Sequence, residues 1–300
     1  MSEAPDERHQ RVRRALRALP PVQSSLPLAN GQLTSRDAAE LEELKLLITQ
    51  HVGLDCSGYK ERCLRRRIAV RMRARGMHRY REYGELLEGD VAERDRLLDA
   101  VMINVSKFFR NAEVWDALRA SVVPQLFAVE GPVRLWSAGC AGGEEPYSLA
   151  ILLHEYAASK RLPLDRFEIL ATDIDQGALA AARRAVYGAY ALAETSDAVR
   201  DRWFEAADGE YRVRPEVRSL VRFEQLDLLR DDYPAGLHLV ICRNVIIYFE
   251  RAMQDRIFER FAASLVPNGF LVLGKVETLF GANAAGFNVA ANRERIFRRT

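Results

Sequence analysis

The sequence predicts an α/β fold in which an open parallel sheet with helices on both faces follows an all-helical domain. The first observation is a change of pattern near Pro132, where short apolar runs begin to alternate with helical stretches. The apolar runs cover 133–139, 167–173, 238–244 and 270–275, and the helical stretches between them cover 144–159, 175–185 and 251–265. Repeated strand, helix, strand units with apolar strands are typical of a buried parallel sheet. The second observation is a charged and aromatic stretch, 187–222, which interrupts this alternation and predicts an inserted antiparallel element.

The part of the chain before Pro132 has helical spacing instead. Apolar residues recur every three or four positions in two places, at Leu41, Leu44, Leu47 and Ile48, and again at Leu64, Ile68 and Met72. We therefore predict a flexible polar and basic tail over 1–35, a helical domain over 36–125 and an α/β domain over 126–300. Within the inserted element of the α/β domain, Asp208-Gly209 predicts a hairpin turn.

Composition places the chain among ordinary globular proteins. It contains 48% hydrophobic and 29% charged residues, its formal net charge is +2, and no apolar run approaches the ~20 residues of a membrane helix. The charged amino terminus lacks the apolar core of a secretory signal, so we expect a cytoplasmic protein with no membrane insertion. The four cysteines show no C-x-x-C spacing, which predicts neither a zinc site nor a disulfide framework. We expect a monomer that holds no metal.

The turn after the first predicted strand is the strongest candidate for a ligand site. In an open parallel sheet, ligands bind beyond the carboxyl ends of the strands, beside the point where the strand order reverses. The first strand runs into glycines at 139, 142 and 143, which allow a sharp turn. Glu144 and Glu145 then begin the helix, and two carboxylates would repel a pyrophosphate but favour a ligand with a positive centre, such as the sulfonium of S-adenosylmethionine. A simple helix-dipole role for both glutamates remains the alternative, more strongly for Glu144 than for Glu145.

Polar residues also follow other predicted strands. Asp173 ends the second strand, where nucleotide-binding sheets contact ribose hydroxyls, whereas Asp175 is better explained as the cap of the next helix. A later strand delivers Arg243 and Asn244 at its carboxyl end, as expected at the mouth of a ligand site. The segment that closes the helical domain, 104–110, adds an amide, a hydroxyl and a guanidinium, and it could cover the pocket as a lid.

Four motifs along the chain carry a family resemblance. They are N-V-S-x-F-F-R at 104–110, W-S-A-G-C-x-x-G-E-E-P-Y-S at 136–148, A-T-D-I-D at 171–175 and C-R-N-V-x-I-Y-F at 242–249. In this order and spacing, over residues 35 to 299, the chain resembles the CheR family of chemotaxis receptor glutamate methyltransferases. The resemblance implies a class I S-adenosylmethionine methyltransferase domain with a Rossmann-like sheet, an N-terminal helical domain and a small inserted β-subdomain. It also implies methyl esterification of receptor glutamates, with S-adenosylhomocysteine as the second product.

The resemblance further implies which residues form the site. Arg110 and Tyr248 would border the reaction centre. The cofactor would be bound at Asn104, Ser106, Arg110, Glu145, Asp173, Asp227, Leu228, Asn244 and Val245. Ser106 stands where the family often has Thr, and Asp227 stands where Asn is common, which makes its contact less certain.

A basic helix is the predicted partner surface. Residues 60–82 hold ten Lys and Arg but two Glu, and such a stripe suits the acidic methylation helices in the cytoplasmic part of chemoreceptors. By resemblance, Arg67, Arg71 and Arg73 are the expected receptor contacts. RNA is the rival partner, although few aromatic residues accompany the arginines and we expect no nucleic acid. The turn at 205–210 lacks the Gly-Pro step with which some family members bind a receptor tether peptide, so we expect weak or no tether binding.

Two alternative functions stay open from the sequence alone. The same sheet would serve a methyltransferase that acts on RNA or on another protein. A cofactor-binding signalling adaptor that has lost catalysis is the other alternative, and the presence of all the implied site residues weighs against it.

Overall fold

The computed structural model describes residues 33–102, 106–279 and 285–300, which fall into two compact units. The helical unit contains the described residues up to 102 together with 248–253, and the α/β unit contains 106–247 and the described residues from 254 onwards. Two expectations lie outside the described residues: the tail, as far as residue 32, and the cofactor contact at Asn104.

Within its described residues, the helical unit contains four α-helices of its own: α1 Ser35–His51, α2 Glu61–Ala74, α3 Tyr80–Gly89 and α4 Val91–Val101. Helix α1 begins where the sequence predicted, because Thr34 caps it: the Thr34 hydroxyl accepts a hydrogen bond from the Asp37 N–H at 3.1 Å, and the Asp37 carboxylate accepts the Thr34 N–H in return. The two predicted apolar stripes are confirmed as core. Their fully buried members are Leu41, Leu44, Ile48, Leu64, Ile68 and Met72.

A buried carboxylate ties three of these helices together. Glu93 on α4 is fully buried and accepts hydrogen bonds from Arg71 Nε at 2.9 Å, from Arg71 Nη2 at 2.7 Å and from the Tyr83 hydroxyl at 2.9 Å. Removal of one partner from such a pair costs about 3–5 kcal/mol, because the other charge stays buried without compensation. The Arg71 side chain is therefore a structural tie between α2, α3 and α4.

Residues 248–253 belong to the helical unit although the chain on both sides belongs to the other unit. The Lys60 N–H donates to the Tyr248 carbonyl at 2.8 Å, and the Glu250 N–H donates to the Gly58 carbonyl at 2.8 Å. The rings of Tyr59 and Phe249 lie 4.9 Å apart. These contacts fix the Tyr248 backbone at the start of helix α2.

The α/β unit contains a seven-stranded sheet in the order β6-β2-β1-β7-β8-β10-β9. Neighbouring strands from β6 to β8 are parallel, and β10 is antiparallel to both β8 and β9. The strands are β1 Val133–Ala138, β2 Phe167–Asp173, β6 Val221–Gln225, β7 Leu237–Cys242, β8 Leu265–Leu273, β9 Phe287–Ala291 and β10 Ile296–Arg299. Because β2 and β7 lie on opposite sides of β1, the strand order reverses at β1, and the turn after β1 occupies the position where such sheets bind ligands.

Helices of the α/β unit flank this sheet, and their positions confirm the predicted alternation. A long helix with a π-helical turn at Leu118–Val122 consists of α5 Ala112–Ala117 and α6 Val123–Ala128. The others are α7 Glu144–Lys160, α8 Gln176–Arg184, α9 Asp197–Trp203, α10 Pro215–Arg218 and α11 Arg251–Ser264, the last of which begins within the helical unit. Across all the described residues, no helix is both long and apolar enough to span a membrane.

The boundary predicted at 125/126 is wrong, because residues 106–125 belong to the α/β unit. Val114, Trp115 and Leu118 are buried in the same core cluster as Val133 and Leu135 of β1. Helical periodicity shows that a helix has an apolar face, but it does not say which core that face packs against. The segment with Ser106 and Arg110 is therefore built into the α/β unit and does not close the helical domain.

The inserted antiparallel element is confirmed, with a different end. Its three strands are β3 Val186–Gly188, β4 Phe204–Ala207 and β5 Glu210–Val213, in the order β3-β5-β4. Asp208 and Gly209 form the predicted turn with φ values of 51° and 79°. The range 187–222 extends too far, because Val221 already pairs with Ile169 in the central sheet as the first residue of β6.

Candidate active site

The turn after β1 folds back onto the end of β2. The N–H groups of Gly139 and Cys140 both donate to the Thr172 carbonyl, at 2.8 and 2.9 Å. Gly139, Ala141 and Gly143 all have positive φ values, of 77°, 48° and 90°. This backbone makes the sharp turn that the sequence predicted.

The glycines of this turn also make room for neighbouring protein atoms. A Cβ added to Gly139 would lie 2.4 Å from Val245 Cγ2, and one added to Gly143 would lie 2.9 Å from Ala182 Cβ and 3.0 Å from the Tyr187 hydroxyl. The sequence interpretation gave these glycines the role of allowing a sharp turn. The structure adds that Gly139 allows the loop after β7 to approach the loop after β1, which brings Val245 to the site.

Asp173 holds the turn from the end of β2. Its side chain is buried, Oδ2 accepts the Ala141 N–H at 2.8 Å and Oδ1 accepts the Asp175 N–H at 3.0 Å. Burial raises the pKa of this carboxyl to about 6, against the opposing effect of these backbone hydrogen bonds. Because each carboxylate oxygen can accept more than one hydrogen bond, Asp173 retains the capacity to accept from a ligand hydroxyl.

The cap interpretation of Asp175 is confirmed. Its Oδ1 accepts the N–H groups of Gly177 at 2.7 Å and Ala178 at 3.1 Å, at the start of α8. The two aspartates of the A-T-D-I-D motif therefore have separate tasks, one at the turn and one at the helix.

Glu145 and Arg243 form a buried charged pair between α7 and the end of β7. Glu145 Oε1 accepts the Ser137 hydroxyl at 2.9 Å, and Oε2 lies 3.6 Å from Arg243 Nη1. Burial raises the pKa of Glu145, and the Arg243 charge opposes that shift. An anionic Glu145 at this position suits a cationic or hydroxyl-bearing ligand, while Glu144 is buried at the helix start beside it.

Arg243 also holds the segment that carries Arg110. Its guanidinium Nη2 donates to the Arg110 carbonyl at 2.8 Å and to Asn111 Oδ1 at 2.9 Å, and the guanidinium lies 5.9 Å from the centre of the Trp115 ring. The residue is 7% exposed. The sequence placed Arg243 at the mouth of the site without a role, and the structure makes it the link between Glu145 and the Arg110 backbone.

Further hydrogen bonds hold this segment from the other side. The Phe109 N–H donates to Ser148 Oγ on α7 at 2.9 Å, and the Asn111 N–H donates to Glu194 Oε2 at 2.8 Å. Phe109 and Asn111 have φ values of 51° and 63°, a conformation that costs non-glycine residues of the order of 1 kcal/mol each and persists only where the surroundings enforce it. The backbone of Arg110 is thus fixed on both sides.

A carboxylate that the sequence interpretation missed holds the loop after β7. Glu277 is 4% exposed and accepts hydrogen bonds from the N–H groups of Asn244, Val245 and Ile246 at 3.0, 3.0 and 2.8 Å. It also accepts the Gly274 N–H at 2.6 Å. A charged residue soon after the apolar run at 270–273 was the available signal, since buried carboxylates need donors.

The remaining implied residues fall in different places. Asp227 follows β6, where its Oδ1 accepts the Leu229 N–H at 2.8 Å, and Leu228 beside it is buried. Ser106 is half-buried at the start of the described segment before Arg110, and Tyr248 belongs to the helical unit. The carboxyl ends of four adjacent strands, β6, β2, β1 and β7, thus lead into Asp227, Asp173, the Gly139 turn and Asn244.

The predicted receptor face lies on helix α2. Arg71 binds Glu93 within the unit, as described above, and Arg73 Nε donates to the Ala69 carbonyl at 3.2 Å. Arg67 is half-buried, and burial together with the neighbouring Arg66 lowers the pKa of its guanidinium. An added acidic group would stabilise the Arg67 charge.

Comparison with known proteins identifies two family domains in this chain. Residues 39–102 match the model of the CheR methyltransferase all-alpha domain, and residues 104–296 match that of the CheR methyltransferase SAM-binding domain. The second match alone covers more than half of the chain.

Curated relatives agree over most of their own length. A chemotaxis protein methyltransferase of Listeria monocytogenes is 35% identical over 81% of this chain and 91% of the relative. The chemotaxis protein methyltransferase of Salmonella typhimurium is 32% identical over 87% of this chain and 91% of the relative. Chemotaxis protein methyltransferase 2 of Pseudomonas aeruginosa is 31% identical over 88% and 95%.

Proposed function

The chain belongs to the CheR methyltransferase family, with S-adenosylmethionine as cofactor, and on that premise we propose that it methyl-esterifies glutamate side chains of bacterial chemotaxis receptors. One structural observation carries most weight. Buried Arg243 binds both Glu145 and the backbone of Arg110. The residue expected to contact the substrate is therefore held beside the carboxyl ends of the strands, where the expected cofactor contacts lie.

The described residues fit the cofactor. Glu145 and Asp173 are carboxylates at the switch point, suited to a positive centre and to ribose hydroxyls, and Asp173 keeps acceptor capacity. We propose that Ser106, Arg110, Asp227, Leu228, Asn244 and Val245 complete its contacts, as does Asn104, which lies outside the described residues. Bound S-adenosylmethionine supplies an electrophilic methyl group on its sulfonium.

The reaction needs no general base. A glutamate carboxylate has a reference pKa near ~4.3, so the substrate is already ionised at neutral pH. The protein's task is to align that carboxylate with the methyl carbon, opposite the leaving sulfur, and alignment of this kind can supply up to ~7–11 kcal/mol. We propose that Arg110 steers the carboxylate through a single contact, because a bidentate clamp would reduce its nucleophilicity.

Tyr248 is the second proposed substrate contact. It ends the short 3₁₀ helix Ile246–Tyr248, and its carbonyl accepts the Lys60 N–H at 2.8 Å. Its backbone is therefore fixed before substrate arrives, as a residue that orients a substrate requires.

Receptor docking is assigned to the basic face of α2. Acidic methylation helices would supply the negative charge that Arg67 favours, and Arg73 lies further along the same helix. Arg71 would offer its remaining nitrogen from within the Glu93 pair. In the inserted element, β4 and β5 are joined by a turn of only two residues, Asp208-Gly209, which is too short to hold a tether peptide. We therefore expect such peptides to bind weakly or not at all.

The decisive experiment is methyl transfer from labelled S-adenosylmethionine to a cytoplasmic receptor fragment, followed by mild alkali. Release of the label as methanol would establish a glutamyl methyl ester. Label that survives alkali would contradict the proposal and favour an RNA or another protein residue as acceptor. Tight cofactor binding without any transfer, across receptor fragments from the source organism, would favour the catalytically silent adaptor.

A further inference from the structure

The Glu277 carboxylate organises the loop after β7, which leads into a short 3₁₀ helix at Ile246–Tyr248. Residues 244–246 follow β7, and Asn244 has a φ of 63°, a left-handed conformation that breaks the strand. The N–H groups of these three residues converge on the two oxygens of Glu277, with Oε2 on Asn244 and Oε1 on Val245 and Ile246. Gly274, at the end of β8, donates to Oε2 as well. The Glu277 side chain thereby accepts the hydrogen bonds that a neighbouring strand would accept if β7 continued.

Only an ionised carboxylate provides this set of acceptors. Glutamine would present one carbonyl oxygen and an NH₂ group that faces N–H donors, and aspartate is one methylene shorter. Gly274 leaves the necessary space: a Cβ there would lie 2.7 Å from Glu277 Oε2 and 2.9 Å from the Asn244 nitrogen. Burial raises the pKa of Glu277, while the backbone N–H groups oppose that effect.

We propose that Glu277 is a positioning residue for cofactor binding, which holds the loop of Asn244 and Val245 in its binding conformation before the cofactor arrives. It acts through this loop and does not touch the cofactor. Val245 in turn packs against the Gly139 turn, so the position of the loop also sets the shape of the turn after β1. The inference rests on the proposed function only where it takes Asn244 and Val245 as cofactor contacts.

The test compares Glu277→Gln with Glu259→Gln, a matched change on the exposed face of α11. Loss of charged acceptors for several N–H groups should raise the Kd for S-adenosylmethionine about 10- to 100-fold, measured by calorimetry. At saturating cofactor, kcat should fall less than about threefold, because the backbones of the two proposed substrate contacts are held by other residues: Arg243 holds Arg110, and Lys60 holds Tyr248. Glu277→Asp should give an intermediate Kd, since it restores the charge but not the reach.

Gly274→Ala provides a second perturbation, since its methyl group crowds both the carboxylate and the Asn244 nitrogen that binds it, without a change of charge. The expected Kd shift has the same direction. A folded Glu277→Gln or Gly274→Ala protein with an unchanged Kd would overturn the proposal, as would a Glu259→Gln effect of equal size. If neither variant folds, hydrogen exchange in the wild-type protein without cofactor tests the proposal. The backbone amides of 244–246 should be protected from exchange, and exchange at the rate of an open loop would overturn the proposal.

These readouts separate the two proposals. A wild-type protein that binds the cofactor but does not methylate receptors would refute the proposed function and leave the effect of Glu277 on the Kd measurable.

Discussion

Arg243 is the residue whose replacement tests the site most directly. Lysine keeps the positive charge but has one compact ammonium, so it cannot serve Glu145, the Arg110 carbonyl and Asn111 at once as the guanidinium does. Arg243→Lys should therefore leave at least one buried acceptor without its donor.

The structure sets the size of the effect. A hydrogen bond to a charged group contributes about 1.5–3 kcal/mol, and two of them reach the backbone and the side chain beside Arg110. Because lysine can replace one, we expect the free energy of unfolding to fall by about 2 kcal/mol. The segment with Arg110 would also lose its fixed position, and a displacement of about 1 Å costs about 100-fold in turnover.

The assay is receptor methylation at saturating cofactor together with urea unfolding. Arg256→Lys on the exposed face of α11 is the matched control, with an expected change below about 0.5 kcal/mol and unaltered turnover. The reasoning is refuted if Arg243→Lys unfolds at the same urea concentration as the wild type and keeps its kcat. A loss of stability with normal kcat would show that Arg243 is only part of the core.

Other perturbations test the remaining features. Arg110→Ala should lower kcat about 100-fold while the cofactor Kd measured by calorimetry rises less than tenfold, and an unchanged kcat would exclude it from the reaction centre. Gly139→Ala should lower the free energy of unfolding, measured by urea, by more than about 1 kcal/mol beyond the loss in Gly209→Ala. Both glycines have a φ near 78°, but only a Cβ at Gly139 would contact another side chain, and equal losses of stability would contradict this. As pH rises from about 4 to 6, Asp173 should lower the free energy of unfolding by roughly 3 kcal/mol, because its folded pKa of about 6 exceeds the unfolded value. The raised pKa values of Glu145 and Glu277 act in the same direction, so Asp173→Asn should reduce the slope in urea titrations, and an unaltered slope would refute the assignment. Arg67→Glu should lower kcat/KM for a receptor fragment at least tenfold without a change in cofactor affinity, and identical kinetics would place the docking face elsewhere.

The sequence was most informative where local chemistry decides the outcome. The strand and helix alternation after Pro132 was confirmed because the buried stretches of the central parallel strands, such as Leu237–Cys242, are mostly apolar. The cap at Asp175 and the turn at Asp208-Gly209 were confirmed because side-chain caps and left-handed turns depend on a few neighbouring residues.

Two errors came from packing, which local patterns do not encode. The helix from Ala112 has the same periodicity as those before it, but its apolar face belongs to the core of Val133 and Leu135. The inserted element ends earlier than its composition suggested, because Val221 has already joined β2. In both cases a segment's long-range partner decided its assignment.

The sequence by itself determined the fold class, the family and the list of candidate residues, because motif order and hydrophobic period are properties of the chain. Only the tertiary structure decided which of those residues hold one another: Arg243 between Glu145 and Arg110, Glu277 beneath Asn244, and Arg71 on Glu93 instead of at the surface. The physical reason is that buried charges must find partners, and in this protein those partners lie from 22 to 133 residues away along the chain.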